Sequence, residues 1–135
     1  MKFTIPGEPT GKARPRVTKW GTHNTEKTIL YENLVKMCYQ EQCKRYTEKA
    51  LKVTIAVYYS IPKSTAKKNI ELMLNGQIHP CKKPDIDNVA KIILDALNGI
   101  AYKDDTQVIS LVVGKFYSNQ ANVKVEITEV ETNII

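Results

Sequence analysis

Apolar and polar positions alternate most regularly where Leu51, Val53, Ile55, Val57 and Tyr59 are separated by Lys52, Thr54, Ala56 and Tyr58. A period of two predicts a strand with one buried face. Phe3 and Ile5 repeat the pattern within Lys2–Pro6, and Val123, Val125 and Ile127 repeat it against Lys124, Glu126 and Thr128. Thr106–Tyr117 also reads as a strand, and its run Leu111–Val113 is apolar enough to predict a central one. The segment Ser118-Asn119-Gln120-Ala121-Asn122 then reads as the hairpin turn between the last two strands.

The period becomes helical in three segments. Leu30, Leu34, Met37 and Cys38 share one face of a helix over roughly Lys27–Arg45. Ser64 is the expected cap of a helix that runs to Leu74 and closes at Asn75-Gly76. Val89, Ile92, Ile93, Ala96 and Leu97 have the spacing of a core-packed helix over about Asn88–Leu97, ended by Asn98-Gly99. Pro6–Thr25 and Gln77–Pro84, rich in turn-forming residues, read as loops. The order β-α-β-α-α-β-β predicts one α/β (α+β) domain over residues 1–135, a mixed sheet of about four strands with helices packed against it.

A chain of 135 residues buries a core without disulfides or zinc. Cys38, Cys43 and Cys81 are odd in number and form no C-x-x-C pair, and His23 and His79 lack zinc spacing, so reduced thiols are expected. The apolar runs are too short to cross a bilayer, and Met1-Lys2-Phe3 leads straight into the first strand without a leader's apolar region. The expectation is a cytoplasmic protein with no membrane partner. A net charge of +6 and a pI of about 9.2 suit phosphate backbones, anionic membranes or acidic proteins, and do not choose among them.

Candidate chemistry concentrates in Lys82-Lys83-Pro84-Asp85-Ile86-Asp87-Asn88-Val89-Ala90-Lys91. If Asp85–Asp87 is extended, its two carboxylates project to the same side, with Asp87 at the N-cap of the following helix. Lys91 and Asp95 follow at i+4 and i+8 on the polar side, so a cation stands between two anions. Asp104-Asp105 follows after a short connection, and it approaches the start of this helix only if the first residues of the next strand run beside it. Singly, these residues read more readily as a cap, an exposed ion pair and a turn than as catalytic groups. Together they describe a carboxylate cluster that a hard cation such as Mg²⁺ or Mn²⁺ would stabilise. Such an ion activates water and neutralises charge on a phosphodiester in transfer, with a nearby lysine assisting. Lys12, Arg14 and Arg16 alternate along the first loop, and Lys82-Lys83 adjoins the acids, so both segments are candidate phosphate contacts. Trp20 reads either as a base-stacking residue or as a partly buried residue of a solvated loop, the latter expected.

The run Lys83-Pro84-Asp85-Ile86-Asp87-Asn88-Val89-Ala90-Lys91, continued by Asp95-Ala96-Leu97-Asn98-Gly99 and Asp104-Asp105-Thr106-Gln107-Val108, resembles the core motif of RusA-type Holliday junction resolvases: D-x-D-N-x-x-K, then D-A-L, then D-D-x-Q-V. The resemblance implies Mg²⁺-dependent cleavage of four-way junctions by a homodimer, with Mn²⁺ able to substitute, in DNA recombination and repair and often in a phage or prophage setting. Products would be 5′-phosphate and 3′-hydroxyl nicks. By position the metal ligands are Asp85, Asp87 and Asp105, the essential lysine is Lys91, and Asn88, Asp95 and Asp104 are supporting. Some members carry an arginine where this chain has Pro84, which leaves Lys82 and Lys83 to supply that charge. Two other readings stay open: a nuclease of flap or single-strand selectivity, and a non-catalytic junction-binding protein. A gel of branched DNAs with and without Mg²⁺ separates all three.

Overall fold

The strongest alternation builds the centre of the sheet. In a computed structural model, which describes residues 1–131, Leu51–Ser60 forms β4, with Leu51, Val53, Ile55, Val57 and Tyr59 buried. Lys2–Pro6 forms β1, Val108–Ser118 forms β5 and Asn122–Glu129 forms β6. The strand order is β1-β6-β4-β5. β6 is antiparallel to both β1 and β4, whereas β4 and β5 are parallel. The expected mixed four-stranded sheet is therefore present, but two expectations about it fail. β5 and β6 form no hairpin, because β4 lies between them and residues 119–121 pass over its end. β5 is an edge strand, not a central one. The cause of both is a long β4–helix–helix–β5 crossover, which makes β4 and β5 parallel and sends β5 outward.

The helices are α1 (Glu26–Gln42), α2 (Lys67–Leu74) and α3 (Ile86–Leu97). α1 buries Thr28, Tyr31, Val35, Cys38 and Tyr39, whereas Leu30 and Met37, expected on its core face, are exposed. Tyrosines fill that interface: the Tyr39 ring stacks edge-on against Phe3, and its hydroxyl donates to Arg45 O. α2 starts at Lys67 after Ala66, so Ser64 does not cap it. α3 buries Val89, Ile92, Ile93, Ala96 and Leu97, the stripe read from the sequence. α1 and α3 pack on each other and on one face of the sheet. The first loop contains a small hairpin that the sequence pattern did not reveal, β2 (Arg16–Thr18) paired with β3 (Gly21–His23), fully exposed. Cys38, Cys43 and Cys81 are free thiols. No helix among the described residues is long and apolar enough to cross a membrane.

Candidate active site

Helix α3 carries the acidic motif on its polar side. Asp85 occupies the N-cap in an extended conformation, and Asp87 lies in the first helical turn. The two are thus not neighbours on one extended strand, and Asp87 is not the cap. Its helical geometry comes from Asp85 O, which accepts from Val89 N at 3.1 Å and closes the first turn. Asp85, Asp87 and Lys91 are exposed and Asp95 is half-buried, with Lys91 one turn from each of Asp87 and Asp95. Lys91 has no ion-pair partner among the described residues.

Asp105 is brought to the C-terminal half of α3 by a 3₁₀ turn, Asp105–Gln107. Three side chains build that turn. Gln107 accepts from Asp104 N at 2.9 Å and donates to Thr47 O at 3.0 Å and Lys49 O at 2.9 Å. Asp104 accepts from the Thr106 hydroxyl at 2.8 Å, so it serves the turn. Asn98 accepts from Asp105 N at 2.8 Å. Burial pushes the Asp105 carboxyl above the usual carboxylate range, against a lowering hydrogen bond from Asn98. The charges of Asp104 and Asp95 raise it further, as does a hydrogen bond with Asp95, which the protonated acid donates. Beneath this cluster the buried Tyr102 hydroxyl donates to Leu94 O at 2.6 Å, and burial, then the neighbouring acids, push its pKa up.

The structure therefore joins Asp105 to Asp95, while Asp85 and Asp87 sit at the other end of α3, about 12 Å along the axis from Asp95 to Asp87. Among the described residues no three His, Cys, Asp or Glu side chains converge as a metal-binding group. The donor chemistry, carboxylate oxygens only, fits a hard divalent cation.

Lys12 does not face solvent as a loop cation. Its Nζ lies 3.2 Å from Glu32 Oε1 and 3.4 Å from Asp95 Oδ2. Its backbone N–H donates to Asn88 O at 3.0 Å. Beside it, a Cβ on Gly11 would lie 2.7 Å from Pro84 Cβ and 3.2 Å from Asn88 Cβ, so the loop packs on the start of α3 only because residue 11 has no side chain. A cleft of about 490 Å³ remains there, lined by Thr10, Lys27, Lys83, Asp85 and Asn88 among others. Arg14, Arg16 and Lys83 are exposed without ion-pair partners among the described residues, whereas Lys82 pairs with Glu8 at 3.3 Å and lies over the Tyr59 ring. Trp20, at the tip of the β2–β3 hairpin, is 79% exposed, with Lys19 over its ring, and so is not the partly buried residue expected.

Five participants escaped the sequence reading. Glu32 was discoverable, since Thr28, Tyr31, Glu32, Val35 and Tyr39 form the helical stripe and a charge within it needs a partner. Asn98 and Gln107 stand inside the motif, but their bonding depends on the turn. Gly11 and Tyr102 carry no pattern of their own.

The family described as Endodeoxyribonuclease RusA has a sequence model that matches residues 6–128. The chain is also 36% identical over 137 residues to the Uncharacterized protein YqaN of Bacillus subtilis (strain 168), with 96% of each chain covered.

Proposed function

The chain belongs to the RusA endodeoxyribonuclease family, and on that footing we propose that it resolves four-way DNA junctions by paired nicks, using Mg²⁺, or Mn²⁺ in its place. The observation that carries this reading is the polar side of α3. Lys91, which has no ion-pair partner among the described residues, stands there between acids at Asp87 and Asp95, with Asp105 delivered beside Asp95. Carboxylates facing DNA are repulsive without a cation, which argues against a purely binding protein. By family position Asp85, Asp87 and Asp105 would serve the metal, which when bound supplies an activated water and offsets phosphate charge; within one chain Asp105 lies with Asp95, at the far end of α3 from Asp85 and Asp87, so a single ion does not reach all three.

The chain's own residues do the rest. Lys91 stabilises charge on the phosphate in transfer or orients the nucleophile. Arg14, Arg16 and Lys83 hold the phosphate backbone, and Lys82 reaches it by leaving Glu8. Trp20 stacks on a base unpaired at the branch point. Lys12 holds Asp95 and Glu32 in place and keeps the first loop against α3. Asn88 and Asp104 fix, respectively, that loop and the turn that carries Asp105. A homodimer supplies one site for each of the two opposed strands. Incubating four-way, flap and single-stranded DNA with the protein, with and without Mg²⁺, is the test. Metal-dependent cleavage confined to the junction is expected. Preferred cleavage of flaps or single strands would replace the junction assignment, and binding without cleavage would remove the enzyme.

A further inference from the structure

The two edges of the sheet are finished in opposite ways. β1 is short, begins at Lys2, ends at Pro6 and is covered from α1. The Gln42 amide makes both hydrogen bonds to Thr4, accepting from its N–H at 2.9 Å and donating to its carbonyl at 2.8 Å, and Cys43 Sγ donates to Lys2 O. A side chain thus satisfies the outer backbone groups of that edge. β5 at the other edge is 11 residues long and contains no proline. From Ile109 to Ser118 its backbone bonds to nothing but β4 among the described residues. Long, apolar, unprotected edges pair with other strands.

Exposure along β5 identifies the edge itself as the unfinished surface. Ile109, Leu111, Val112 and Phe116 are between 41% and 62% exposed. Val112 and Phe116 align with Thr54 and Tyr58 on the open face, and Leu111 aligns with the buried Val53 on the helix-covered face. A ligand on one face would leave only one parity exposed. Apolar residues left bare on both faces are what a strand added alongside would cover. The same run read as a central strand from its sequence, and with a neighbour beyond it β5 would be one.

Resting on the paired-nick reading above, we infer that the occupant is a second copy of this chain, its β5 antiparallel to the first across a two-fold axis. An antiparallel strand pair is self-complementary, as an isologous contact requires. The charge pattern selects the same partner. The chain carries +6 overall, yet β5 holds a single charge, Lys115, whose ammonium is bonded to Lys82 O at 2.7 Å. Two copies meet here without the repulsion they would face elsewhere, and DNA finds no row of cations to hold its phosphates. Pairing makes a continuous eight-stranded sheet, twice the four strands of one chain. Its two-fold axis stands perpendicular to the sheet, so both α3 helices, and both acidic sites, fall on the same face. One junction can then reach both.

Sedimentation equilibrium of the whole chain, the Leu111→Lys/Val112→Lys variant and a cysteine set provides the test. Wild type is expected at twice the 15.3 kDa chain mass, and the lysine variant at the single mass with an unchanged circular dichroism spectrum. Should the variant not fold, cysteines placed singly at Leu111, Val112 and Val113, in a Cys43→Ser/Cys81→Ser background, decide the matter. At least one is expected to give a covalent dimer with a short bis-maleimide, while Thr4→Cys on the finished edge gives none. A dimeric wild type whose lysine variant stays dimeric, or from which none of the β5 cysteines cross-links, overturns the β5 interface and leaves the dimer standing. A monomeric wild type overturns the dimer reading itself.

Discussion

Replacing Lys12 by methionine removes one charge and keeps most of the side-chain volume, so its effect reports on the ion triad. Lys12 and Glu32 retain 13% of their side-chain exposure and Asp95 retains 27%. Breaking a buried pair by deleting one partner costs about 3–5 kcal/mol, and the residual access of water to Asp95 places this case near 3 kcal/mol. For a domain of this size that lowers Tm by roughly 10 °C. The cost arises from stranded carboxylates, so in a Glu32→Gln/Asp95→Asn background the same substitution should cost less than about 1 kcal/mol. Urea unfolding of the four proteins without divalent metal supplies the numbers. DNA binding supplies a second readout: a lysine on a phosphate contributes about one unit to the salt slope, and Lys12→Met should leave that slope unchanged. A Lys12→Met protein within about 0.5 kcal/mol of wild type, or one with a reduced salt slope, would mean that Lys12 is a solvated DNA-facing cation and that the triad is unimportant.

Lys91→Ala should lose about 10²–10³-fold in cleavage rate while unfolding at the same urea concentration, because the side chain is exposed and alanine favours helix; normal activity per folded molecule would reassign it. Neutralising Arg14 and Arg16 together should weaken binding to every DNA shape and lower the salt slope by about two, measured by anisotropy titration; an unchanged slope would remove the loop from the interface. Asp105→Asn should abolish cleavage yet stabilise the protein in the absence of metal near neutral pH. The folded-state pKa of Asp105 is raised, so its favourable contribution is complete below the unfolded value and is lost as pH rises through the folded one. The advantage of the variant should therefore shrink as pH falls and vanish only well below the unfolded value of about 3.9, where the wild-type acid is protonated in both states; a variant less stable than wild type at neutral pH would contradict the crowding of Asp105.

How much of this was legible in the sequence depended on how local the cause was. β4 and α3 follow from their own apolar periods, since each buries one face whatever its neighbours do. The face of α1 was misread because Tyr31 and Tyr39 bury aromatic bodies at polar-looking positions while Leu30 and Met37 face outward. The placement of β5 depended on the crossover, which no strand pattern encodes. At the site, the motif named the acids and Lys91. Asp87 as a cap failed by two residues, because Asp85 closes the first turn. Lys12 among the phosphate contacts came from alternation along a loop, and its true environment depends on Glu32, which is 20 residues away. Gly11 matters only through what it approaches.

A metal-dependent phosphodiesterase centred on α3 and working in pairs would nick a junction on two strands. The most direct test compares wild type and Asp87→Asn on a four-way junction with each strand labelled in turn, with and without Mg²⁺, beside a binding titration of both proteins. Symmetric nicks on two opposed strands are expected from wild type only with Mg²⁺, and none from the variant, which should bind the junction as tightly or more tightly once a repulsive carboxylate is gone. Mg²⁺-dependent symmetric nicking by Asp87→Asn at the wild-type rate would contradict that expectation.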